Sequence, residues 1–85
     1  MFLVYFTVTA KKELDNTDSN DRDFIAAKID KLATYPHVSF SIKKLAGFDD
    51  SLRIRVGNYR VFFEVDGQKK IILITKISDR KEAYR

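Results

Sequence analysis

Leu52 to Val65 reads LRIRVGNYRVFFEV, and the fold turns on this stretch. Leu52, Ile54 and Val56 alternate with Arg53 and Arg55, the period-two pattern of a strand with one buried face. Gly57-Asn58 reads as a two-residue hairpin loop, because both residues tolerate the positive φ of such turns. Tyr59 to Val65 then returns, rich in β-branched and aromatic side chains. With only Gly57 and Asn58 in the loop, Val56 pairs with Tyr59, Arg55 with Arg60, and Ile54 with Val61. Arg53, Arg55 and Arg60 therefore share one face. Arginines directly opposite each other repel, so this face calls for a counter-charge, and phosphate is the evident candidate.

Working outward, Asp66-Gly67 is a second hairpin signal. Ile71 to Ile77 (IILITKI) follows as the third strand of the meander and the most buried-looking stretch in the chain. On the other side, Val38 to Ile42 (VSFSI) alternates weakly, and Lys43-Lys44 with Leu45 to Gly47 leads into the hairpin through Asp49-Asp50. Phe2 to Val8 (FLVYFTV) reads as a strand covered on both faces, or a central one. Thr9 is the expected cap of a short helix to Leu14, whose apolar stripe is Ala10 and Leu14. After the polar break Asn16 to Asn20, a second helix capped by Ser19 or Asn20 carries Asp21 and Asp23 in its first turn. Ile25, Ile29 and Leu32 form its apolar stripe, with Phe24 beside it, and Pro36 ends it. His37 follows in a loop. The resulting order β-α-α-β-β-β predicts an α+β domain, with two N-terminal helices packed on one face of an antiparallel sheet. The face with the arginines is left open.

The chain has 85 residues, enough for a single domain over 1–85. Residues 1–42 carry a net charge of −1 and residues 43–85 carry +5, so the basic half coincides with the arginine hairpin. A solvated basic surface serving only solubility is the alternative reading. The absence of cysteine removes disulfides and thiolate metal sites and fits a reducing compartment. With His37 as the single histidine, the composition argues against a zinc site. Met1 to Val8 is too short to span a membrane and has no basic leader, so a cytoplasmic protein is expected.

KKLAG (43–47), RIRVGNYRVFFEV (53–65) and, after an apolar strand, DRKEAYR (79–85) together resemble the RelE/ParE toxin superfamily of toxin–antitoxin pairs. The pairing of an R-V-G-x-Y-R hairpin with R-x-x-x-Y about twenty residues later carries the resemblance. It implies a compact antiparallel sheet with two N-terminal helices, in agreement with the order read above. The superfamily holds two classes. RelE-like members cut messenger RNA in the ribosomal A site; ParE-like members inhibit DNA gyrase and lack the RNase residues.

For a RelE-like toxin, the resemblance places catalytic roles on Arg60, Arg80 and Tyr84, and RNA binding on Arg53, Arg55, Lys43 and Lys44. Attack by the 2′-hydroxyl needs a proton acceptor, charge stabilisation at phosphate and a proton for the 5′ oxygen. Arginines stay protonated, so they clamp phosphate. Tyr84, with an ordinary pKa of about 10, is the proton-exchanging member of the set, as base or as orienter of the 2′-hydroxyl. Arg60 also has a structural reading, as partner of Glu64 on the same strand face. Ser78-Asp79 departs from the family pattern before Arg80 and puts a carboxylate beside it. The implied protein is a metal-independent endoribonuclease with no cofactor, and its partners are a cognate antitoxin, the ribosome and mRNA. The alternatives are a ParE-like gyrase inhibitor and a catalytically inactive relative.

Overall fold

The computed structural model describes residues 1–44 and 51–79. Strand β1 (Leu3–Phe6) leads into helices α1 (Val8–Asp15) and α2 (Ser19–Asp30), and a 3-10 turn (Lys31–Thr34) extends α2. Strands β2 (Lys43–Lys44), β3 (Ser51–Val56), β4 (Tyr59–Asp66) and β5 (Ile71–Asp79) complete the chain as described. They form one five-stranded sheet in the order β1-β5-β4-β3-β2. The α+β class and the two helices on one sheet face match the expectation. The sheet itself is mixed, because β1 runs parallel to β5, with Leu3 beside Ile71 and Phe6 beside Ile74.

The hairpin register is the expected one: Val56 faces Tyr59, Arg55 faces Arg60, and Ile54 faces Val61. Gly57 takes the left-handed conformation (φ 58°), whereas Asn58 keeps a negative φ, so one residue absorbs the turn's strain. Ile54, Val56, Val61, Phe63, Ile72, Ile74 and Ile77 project from the sheet into the core. Ala10, Leu14, Ile25, Ile29 and Leu32 meet them from the helical layer. Phe24, beside the α2 stripe, stays 61% exposed.

Four local expectations are corrected. The first strand is an edge strand, not a central or doubly covered one: Leu3 is 61% and Tyr5 51% exposed, while Val4 and Phe6 on the alternate face pack on the core. The cap of α1 is Thr7, not Thr9. Its N–H still bonds Ile74 O at 2.9 Å while its Oγ1 accepts from the Ala10 N–H at 3.1 Å, so the last ladder residue is also the cap. Helix α2 is capped by Asp18, whose carboxylate accepts from the Asn20 N–H at 3.1 Å. Asp66-Gly67 opens a four-residue loop rather than a tight turn, since Asp66 pairs with Ile71. The Asp66 carboxylate accepts from the N–H groups of Gln68 and Lys69, and Lys70 rather than Gly67 takes positive φ (58°).

Strand β5 carries an irregularity at Thr75. Phe62 faces Lys76 and Phe63 faces Ile74, so Thr75 has no opposite number on β4. The bulge shifts the alternation by one. Ile74 and Ile77, three apart, both reach the core, and Lys76 emerges on the open face.

Candidate nucleic-acid interface

The open face is assembled by register. Arg53 and Arg55 on β3 and Arg60 on β4 point away from the helices, because Ile54, Val56 and Val61 between them point in. Lys43 lies opposite Arg53 and joins them. Lys44 lies opposite Leu52 and falls on the other face, so the structure separates this lysine from the rest. Lys76, across from Phe62 and diagonal to Arg60, adds a cation that sequence reading missed. A signal for it existed: strict alternation through IILITKI would bury Lys76, and that conflict marks the bulge. Arg80 and Tyr84 lie outside the described residues.

The cations differ in setting. Arg55 is exposed and Arg53 partly buried. Arg60 is also partly buried, with its Nε enclosed, so its guanidinium stem is held by packing. Glu64 shares the face of Arg60, four residues along, and is exposed. Between β2 and β3 lies a recess of about 180 Å³ lined by Ser41, Lys43, Arg53 and Arg55. Among the described residues, no carboxylate lines it. Toward β1 the same face becomes apolar, with Leu3, Tyr5, Ile71 and Leu73.

Side chains from the helices finish the two ends of the sheet that its short outer strands leave uncovered. Beyond β1, the Ile77 N–H of β5 donates to Glu13 Oε1 of α1 at 2.9 Å, and Glu13 Oε2 stands 3.7 Å from Lys76 Nζ. Beyond β2, the Arg55 carbonyl of β3 accepts from Lys28 Nζ of α2 at 2.7 Å. A third tie joins α2 to the hairpin, where the Tyr59 hydroxyl donates to Asp21 Oδ2 at 3.0 Å. Burial, the Asp21 hydrogen bond and the charges of Asp21, Asp79 and Asp18 push the Tyr59 pKa above its ordinary value.

Among the described residues no three His, Cys, Asp or Glu side chains converge as metal ligands. No helix among them is long and apolar enough to cross a membrane.

A small α+β domain that gathers arginines on an uncovered sheet face has the build of the RelE/ParE toxins. The family described as ParE toxin of type II toxin–antitoxin system matches residues 4–84, and the chain belongs to it. It is 32% identical to Toxin RelE3 of Methanocaldococcus jannaschii over 84 residues, which span 95% of this chain and 93% of that protein. A second protein of that organism, Putative toxin RelE1, is 44% identical over 50 residues, or 59% of this chain; the chain thus spans only 56% of that relative's length. Among solved structures, the RelB–RelE antitoxin–toxin complex from Methanococcus jannaschii contains a chain with TM-score 0.78 and 30% identity, each chain covered to 94%. The archaeal RelE–RelB complex from Pyrococcus horikoshii OT3 gives TM-score 0.78 and 28% identity, covering 93% of this chain and 94% of that one. The isolated E. coli RelE toxin, at 23% identity and TM-score 0.80, shares the fold; 99% of this chain and 92% of that one align.

Proposed function

We propose that the protein is a ribosome-dependent endoribonuclease that cuts mRNA in the ribosomal A site by 2′-hydroxyl attack, without metal or cofactor. The observation that carries this reading is the placement of Arg55 opposite Arg60, with Arg53, Lys43 and Lys76 around them on one open face. Repelling cations on a solvent-facing sheet are what a polyanion would stabilise. In this reading Arg60 and Arg80 hold the scissile phosphate and Tyr84 accepts or orients the 2′-hydroxyl proton. Arg53, Arg55 and Lys43 grip the flanking backbone, while Lys44 is left out by its face.

The relatives' names support a toxin role, and two of the similar structures named above are complexes with RelB antitoxins. A cognate antitoxin that masks the basic face, in a cytoplasmic toxin–antitoxin pair, follows from the same reading. Induced expression tests it: Arg60→Ala and Tyr84→Phe should each relieve growth arrest, and full toxicity in both would overturn the nuclease role. The family description keeps a gyrase-directed reading in view. A supercoiling assay with purified gyrase addresses it, and the expected result is no inhibition at saturating protein.

A further inference from the structure

Lys28 is the one cation of α2 that reaches the arginine strand, and it does so at the backbone. In an antiparallel hairpin closed by Val56 and Tyr59, the N–H and C=O of Arg55 point away from β4, toward the sheet edge. Strand β2 is too short to cover that position, since its pairing stops at Lys43 with Arg53. Lys28 Nζ takes the exposed carbonyl at 2.7 Å in place of a neighbouring strand. The same ammonium stands 4.8 Å from the centre of the Phe40 ring. Phe40 immediately precedes Ser41, and Ser41 and Lys43 form one wall of the basic recess while Arg53 and Arg55 form the other. One ammonium thus ties the two walls together: the strand wall through the Arg55 carbonyl, and the loop wall through Phe40.

We infer that Lys28 is a positioning residue for RNA, setting the width of this recess so that Lys43, Arg53 and Arg55 close on one backbone phosphodiester. The inference rests on the proposed nuclease role for the identity of the ligand. Lys28 touches no phosphate in this scheme. The recess holds about six waters' worth of liquid volume, room for a phosphate group with part of a ribose. It lies one to two strand spacings, about 5–10 Å, from Arg60, so it would grip the strand beside the scissile link.

The test uses the purified chain and a fluorescent ten-nucleotide single-stranded RNA, with affinity read against salt. Lys28→Met keeps the aliphatic stem but removes the donor and the cation, and should weaken binding about three- to tenfold, as when one charged phosphate contact loosens. Lys28→Arg should restore most of it. Two controls separate position from charge and from fold: Lys31→Met removes a cation from the same helical segment, and Tyr59→Phe loosens the other α2–hairpin tie. Both should bind nearly as wild type at a temperature where all variants are folded by circular dichroism. In cleavage assays Lys28→Met should raise KM and leave kcat nearly unchanged, a split that general loosening of the fold would not give. Equal loss in Lys31→Met or Tyr59→Phe, no rescue by Lys28→Arg, or no RNA binding by wild type would each overturn the inference. Cuts in mRNA without Lys28 dependence would leave the nuclease reading standing alone. Lys28-dependent binding without cuts would sustain the positioning role and sink the nuclease.

Discussion

Arg55 and Arg60 face each other across two adjacent strands, and like charges placed directly opposite repel. Replacing Arg55 by Thr, which suits an exposed strand position, should therefore stabilise the chain by about 0.5 kcal/mol at low salt, and by less as salt rises. Urea unfolding at two ionic strengths measures this, and a less stable Arg55→Thr protein would show that the pair is not a repulsive one. RNA affinity should fall in the same variant, since the proposal has Arg55 grip the RNA backbone. Tyr59 gives a second expectation. Its raised pKa means that the Asp21 tie is fully present below the ordinary tyrosine pKa of about 10, and is lost as pH rises through the folded value. Tyr59→Phe should thus be less stable than wild type by about 1 kcal/mol near neutrality, with the gap closing in alkali. A gap that stayed constant up to high pH would contradict this.

At the scale of elements, the helices do more than cover the core. Glu13 and Lys28 supply, from α1 and α2, the hydrogen bonds that a longer β1 and β2 would have provided. Glu13→Ala leaves the Ile77 N–H without this acceptor and should cost about 1–3 kcal/mol, whereas Glu13→Gln keeps an oxygen there and should cost less. Thermal unfolding of both variants decides it; equal losses would mean that the charge, not the acceptor, matters. Gly57→Ala should cost about 1 kcal/mol, since open space surrounds the added Cβ and only the left-handed backbone opposes it. This is also the scale at which the sequence was most and least readable. The hairpin register could be read from Leu52 to Val65 because alternation and the Gly57-Asn58 turn independently gave the same pairing. The stripe Ile25, Ile29 and Leu32 could be read because all three lie on one helical face. The place of β1 could not be read, because its apolar run reflects a parallel partner, β5, some seventy residues away. Caps slipped to Thr7 and Asp18 for a related reason: several adjacent Thr, Ser, Asp and Asn side chains can cap, and tertiary entry angles choose among them. The bulge at Thr75 hid Lys76 from a period-two reading, and the tie from Lys28 to a distant carbonyl has no local sequence signature at all.

Across the whole molecule, the charge asymmetry read from the sequence, −1 in residues 1–42 and +5 in 43–85, becomes a spatial one. Lys43, Arg53, Arg55, Arg60 and Lys76 occupy one end of the open face, and Leu3, Tyr5, Ile71 and Leu73 the other. A partner that masks only the basic end should dissociate as salt rises; one that also covers Leu3 and Tyr5 should resist. Titrating salt against a co-purified complex distinguishes them, and Tyr5→Glu should weaken only the second kind. Primer extension on a reporter mRNA translated in a cell-free extract is the decisive test of the proposal that the open arginine face cuts mRNA on the ribosome. Discrete cuts that require ongoing translation and vanish with Arg60→Ala are expected. Intact mRNA in the presence of the wild-type protein, or cuts that persist in Arg60→Ala, would contradict it.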